Sequence, residues 1–162
     1  MDNLAEVISR FRESPRERLG LIDNLYLALP DSRAFELLLA TATDTTEAET
    51  VRCAAWKVWH NNEPDSEDEL ERFVAAALAT VRSDPSDLVR DYAICALAWQ
   101  AHREDVEAVL LSLLQDSSAG QSVRSAAFQV LSRRGHERRE AVFRTLTDDP
   151  VLGDEVRDYF SE

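Results

Sequence analysis

Asp84-Pro85-Ser86-Asp87-Leu88-Val89-Arg90-Asp91-Tyr92-Ala93-Ile94-Cys95-Ala96-Leu97 is the stretch that decides the fold, because its central frame recurs. Val-Arg also occurs at Val51-Arg52, Val123-Arg124 and Val156-Arg157, so the steps along the chain are 38, 34 and 33 residues. Self-similarity at such a period marks a stack of supersecondary units, each too small to bury its apolar face alone. With Val counted as zero, positions 0, +3, +4, +7 and +8 share one arc of a helix. In the copies at Val89 and Val123 they are Val89, Tyr92, Ala93, Ala96, Leu97 and Val123, Ala126, Ala127, Val130, Leu131. Small alanines there let two helices approach closely. The arginine at +1 sits at the edge of the arc, where its stem can lie on apolar surface while its head reaches an acid of the next repeat.

Outward from these frames the chain reads as helix throughout, with apolar residues spaced by three and four. Helices are expected near 2–13, 15–29, 32–42, 46–61, 66–82, 85–101, 103–116, 120–134, 136–147 and 150–161. Ser14 before Pro15, Asp84 before Pro85, Ser66 with Glu69, Thr46 with Glu49, and Asp149 before Pro150 read as helix starts. From residue 32, helices rich in aliphatic runs alternate with helices carrying the Val-Arg frame. The chain is expected to be one domain. Residues 1–31 form a degenerate N-terminal cap, 32–62, 63–102 and 103–135 are repeats, and 136–162 are a C-terminal cap repeat.

The frame of Asp84 to Leu97 resembles the second helix of the HEAT repeat, an armadillo-like helix pair in which Asp, Val-Arg, Ala and Ala-Leu follow in that order. The resemblance is fainter at Val51 and Val123, cut short at Val156, and absent from the first thirty or so residues. It implies an all-α, right-handed α-solenoid of about 4–5 repeats and 9–10 helices. It also implies a non-enzymatic protein-binding scaffold. Relatives of that architecture include DNA glycosylases and bilin lyases, which stand as the enzymatic alternative. A generic adaptor subunit of a larger assembly is a third reading.

The bulk charge points the same way. There are 31 acidic residues against 18 basic ones, a formal charge of −13. Nucleic acid and anionic membranes both call for a positive face, so the expected partner is another protein with a basic surface. No apolar run approaches the length of a membrane span, and the N-terminus lacks the pattern of a signal peptide; a cytoplasmic protein is expected. Cys53 and Cys95 have no metal or redox spacing. His60, His102 and His136 share no i, i+4 face, and His136-Glu137 is a lone pair, so no metal or other cofactor is expected.

Three features are candidates for contact. Six carboxylates crowd nine residues: Glu63, Asp65, Glu67, Asp68, Glu69 and Glu71. Helix starts attract carboxylates, yet two or three would suffice for the dipole. The arc opposite the core in the Val-Arg helices holds Cys53, Lys57 and His60, then Asp91, Cys95 and Ala98, then Ser125, Gln129 and Ser132. Lys57, His60, Asp91 and Gln129 are expected to face a partner. Trp56 and Trp59 fall at core positions, whereas Trp99 lies at the edge of the exposed arc and reads as an aromatic anchor. Arg133, Arg134, Arg138, Arg139 and Arg144 suggest a basic cluster near the end. The sharpest functional expectation is an acidic immunity protein or inhibitor that masks a basic toxin such as a nuclease.

Overall fold

A computed structural model describes residues 3–133 and 137–161; His136, with Arg134 and Gly135, lies outside the described residues. Among the described residues there are ten α-helices and no strand: α1 Leu4–Glu13, α2 Arg18–Leu27, α3 Ser32–Thr43, α4 Glu49–Lys57, α5 Glu67–Ser83, α6 Asp87–Ala96, α7 Glu104–Gln115, α8 Gln121–Ser132, α9 Glu137–Arg144 and α10 Gly153–Tyr159. Single 3-10 turns at Pro15–Glu17, Val58–His60 and Ala98–Gln100 occupy ground expected to be α-helical. No helix among them is long and apolar enough to cross a membrane.

Several helix starts fall later than the sequence reading placed them, and one residue type explains it. Asp44, Asp84, Asp116 and Asp149 each accept a hydrogen bond from the backbone N–H two residues on, at 2.9 Å (Thr46), 3.0 Å (Ser86), 2.9 Å (Ser118) and 2.9 Å (Val151). Such a turn holds the backbone out of the helix for one more step. Asp84 is therefore the C-terminal cap of α5, and the N-cap of α6 is Ser86, whose Oγ accepts from Val89 N–H at 3.2 Å. Thr46 belongs to the turn at Asp44, so α4 begins only at Glu49, and α10 begins at Gly153 rather than Pro150. Ser66 does cap α5 as expected, accepting from Glu69 N–H at 3.2 Å.

The helices pack as hairpins, α3 with α4, α5 with α6 and α7 with α8, and the hairpins stack side by side as an α-solenoid. One row is α3, α5, α7; the other is α2, α4, α6, α8. In the second row α4, α6 and α8 approach one another far more closely than do the helices of the first. This closely packed row is termed the inner row. Alanine explains the approach: Ala55, Ala93, Ala96, Ala126 and Ala127 are all buried there. The core is continuous from Val7 to Val156. Two aromatic clusters lie within it: Phe35, Trp56, Trp59 and Phe73, with centroids 5.3–6.2 Å apart, and Phe128, Phe143 and Tyr159, at 4.8–6.1 Å.

The recurrent arginine does one job in every copy. It donates to a carbonyl at or just beyond the C-terminal end of the preceding helix: Arg52 to Ala42 O, Arg90 to Val81 O, Arg124 to Leu114 O and Arg157 to Thr147 O. The first three carbonyls stand in the last turns of α3, α5 and α7, where they lack an intrahelical partner and carry the negative end of the dipole, while Thr147 lies in the turn after α9. Arg52 and Arg124 also reach into the next repeat, pairing with Asp84 and Asp149. Arg90 and Arg157 instead pair with Asp87 and Asp154 of their own helices, so the expected reach across repeats holds for two of the four.

The first row has a ladder of its own. Glu36 pairs with Arg72 at 2.6 Å, Glu71 with Arg103 at 2.5 Å and Glu107 with Arg139 at 2.5 Å. Each pair joins successive first-row repeats. Arg139 is buried, its Nη2 donating to Ala101 O at 2.5 Å and its Nη1 to Leu131 O at 3.2 Å. The expected basic surface cluster is therefore broken at its centre: Arg139 is a stacking residue, while Arg133 and Arg144 are exposed.

Candidate protein-binding face

The inner row presents the strip that the helical wheel outlined, modified by how closely the helices lie. Lys57 and Gln129 are exposed; His60, Asp91, Cys95, Ala98, Ser125 and Ser132 are half-buried. Cys53, expected on the same strip, is buried instead, because α6 closes over it. Neighbouring helices also tie the strip together. The His60 ring stacks on Tyr92 with centroids 5.6 Å apart, and its Nε2 lies 3.3 Å from Tyr92 O. Cys95 Sγ donates to Asp91 Oδ1 at 3.6 Å, and Ser125 Oγ donates to Glu155 at 2.8 Å.

Burial shifts the titrating groups of this strip. It lowers the His60 pKa and raises that of the Asp91 carboxyl. It pushes both thiols, Cys53 and Cys95, up to about 11, and both are free. A thiol held protonated is a poor nucleophile. Among the described residues no group of three or more His, Cys, Asp or Glu is arranged to hold a metal ion. What the strip offers is a shallow surface of hydrogen-bonding groups.

Trp99 stands at the rim of that surface, 48% exposed. Its indole N–H donates to His60 O at 3.1 Å, so the ring is fixed in orientation rather than swinging freely. Trp56 and Trp59 are buried, as their wheel positions required.

The acidic segment divides into two groups. Glu63 accepts from Gln100 Nε2 at 2.6 Å, and Glu71 holds Arg103 of the next repeat, which keeps its carboxyl below the usual range. Glu71 links successive repeats, and Glu63 ties the start of its repeat to Gln100 at the end of the same repeat. Asp65, Glu67 and Asp68 are exposed, and Glu69 is half-buried. Glu67, Asp68 and Glu69 form the first turn of α5, beside the positive end of its dipole.

A further surface escaped the sequence reading. Between α2 and α4 lies an open groove of about 430 Å³, lined by Leu19, Ile22, Asp23 and Tyr26 from one side and Ala54, Lys57 and Val58 from the other. A second hollow of about 320 Å³ adjoins it, sharing Tyr26 and Asn62 and adding Leu27, Phe35, Trp59, Glu63, Asp65 and Glu69. Leu27 is 70% exposed, Leu19 51% and Tyr26 40%. One signal was available: apolar residues encircle α2 rather than forming one stripe, so some must face outward.

A family model described as HEAT repeats matches residues 74–158, just over half of the chain. No curated protein and no solved structure matches. Stacked helix hairpins, a recurrent Val-Arg frame capping each preceding helix, and that match together place the chain in the HEAT-repeat family.

Proposed function

We propose that this chain is a non-enzymatic scaffold that binds another protein with a basic surface. In its sharpest form the reading is an inhibitor of the immunity type, masking a basic toxin such as a nuclease. The observation that carries it is the continuous inner row, a broad face of the kind solenoids use for partners. Lys57, His60, Asp91 and Gln129 would supply hydrogen bonds, and Trp99 would act as a pre-oriented aromatic anchor. Asp65, Glu67, Asp68 and Glu69 would steer a cationic partner over a distance and speed encounter. Glu63 and Glu71 would add charge at the rim while serving the stack. The functional repeats under this reading are 32–62, 63–102 and 103–135, capped by 1–31 and 136–162, and the protein would act in the cytoplasm.

The test is capture from a nuclease-treated lysate on the immobilised chain, at low and high salt, beside the variants D65N/E67Q/D68N and W99A. The expected catch is basic, salt-sensitive and reduced by the triple substitution, with W99A shortening its retention. Recovery of the same proteins in the same yield by the triple variant would remove the charge-steering reading.

A further inference from the structure

The inner row is not uniform. From α4 to α8 it is closed by alanines of the repeated frame, but α2 lacks that frame and packs on α4 less extensively than α4 packs on α6. The later helices bury Ala93, Ala96, Ala126 and Ala127, whereas Leu19, Ile22 and Tyr26 of α2 line the groove. The groove lies between α2 and α4. Its floor and lip are apolar: Ile22 is buried, while Leu19, Tyr26 and Leu27 are large and exposed. Its rim is anionic. Among the described residues lining the groove and the adjoining hollow, Asp23, Glu63, Asp65 and Glu69 are acids and Lys57 is the one cation.

We infer that this groove and the adjoining hollow together form a docking site for a basic amphipathic segment of another protein, with large apolar side chains on one face and lysine or arginine on the flanks. The inference deepens the scaffold reading and rests on it, moving the anchoring contact from Trp99 to α2 and α4. Two features argue for that occupant. An exposed cluster of large apolar side chains costs solubility unless something covers it. Four acids against one cation over the groove and hollow together, concentrated at the hollow end, disfavour an acidic or neutral segment and match a cationic one. The apolar lip would supply the desolvated anchor, and the rim would set sign and orientation.

The probe is a fluorescein-labelled peptide of leucine and lysine patterned as an amphipathic helix, with leucine–glutamate and serine–lysine peptides of the same length as controls. Anisotropy titrations use the full chain, L19S/L27S and D23N/D65N, with circular dichroism to show that each variant folds. The leucine–lysine peptide is expected to bind, and both controls to bind more weakly by about tenfold or more. L19S/L27S is expected to lose about tenfold, and D23N/D65N to lose less and to flatten the salt dependence. Hydrogen exchange should slow in α2 and α4 on binding. Equal binding by the serine–lysine peptide, an unaffected L19S/L27S, or no binding would overturn the inference. Protection confined to α6 and α8 would also overturn it while leaving the scaffold reading intact. Self-association of the free chain in sedimentation, abolished by L19S/L27S, would show that a second copy occupies the groove and would overturn it as well.

Discussion

Arg124→Met tests the arginine clamp where it is most deeply set. The Arg124 side chain is 3% exposed and that of its partner Asp149 is 14% exposed. Nη2 donates to Leu114 O at 2.8 Å and to Asp149 Oδ2 at 2.6 Å, and Nε adds a longer bond to Leu114 O at 3.3 Å. Methionine keeps most of the apolar stem, so packing changes little and the polar loss dominates. Removing one partner of a buried ion pair costs about 3–5 kcal/mol. Asp149 retains two backbone donors, Val151 N–H at 2.9 Å and Leu152 N–H at 3.0 Å, which points to the lower end. A loss of about 3 kcal/mol lowers the melting temperature by about 6–12 °C for a chain of this size. Thermal and urea unfolding followed by circular dichroism measure it. Acid supplies a second readout. Arg124 is the main cause that holds the Asp149 carboxyl down from an ordinary 3.8 to about 2. Because the folded value is the lower one, this contribution is complete above the unfolded value and fades as the pH falls from about 4 to about 2. The stability gap between wild type and R124M should narrow over that window, and R124M/D149N should be less destabilised than the sum of the single variants. A melting temperature within about 2 °C of wild type at neutral pH, or a gap that stays constant into acid, would refute the clamp.

Two glycines should respond unequally to alanine. At Gly153 an added Cβ lies 2.8 Å from Thr147 O, a backbone atom, so G153A should destabilise by about 1–3 kcal/mol in urea unfolding. At Gly120 the nearest atom is Asp87 Oδ2 at 1.9 Å, the end of a side chain that can rotate away, so G120A should forfeit only an exposed pair with Arg90 and cost about 1 kcal/mol or less; equal costs would contradict this. With both thiols near 11, the folded protein should resist iodoacetamide at pH 8, where about one thiol in a thousand is ionised. Intact-mass measurement should find labelling only with unfolding, and prompt alkylation of the native chain would count against the burial argument.

Periodicity carried most of the fold. Valine at zero and alanine at the buried positions are local facts with a non-local consequence, because a helix with that arc must be covered by another like it. The arginine at +1 was recognised as structural from its even spacing. Its acceptor was not, because a carbonyl nine or ten residues upstream becomes its neighbour only after the hairpin closes. The first-row ladder of Glu36, Arg72, Glu71, Arg103, Glu107 and Arg139 was hidden for a related reason. Glutamate and arginine are common on exposed helix faces, and nothing local distinguishes those paired 32 or 36 residues away. Thus Glu71 looked like one acid among six and Arg139 like one base among several.

Sequence by itself determined the helical class, the stacked-pair architecture and the positions bound for the core, since these follow from side-chain size and spacing within single helices. Only the tertiary structure decided which charges are consumed by stacking and which remain on the surface. It also decided where the inner row opens. That opening depends on the separation of α2 from α4, a distance set jointly by side chains on two helices some thirty residues apart. Neither helix encodes that distance alone, so the groove exists only once the two are packed.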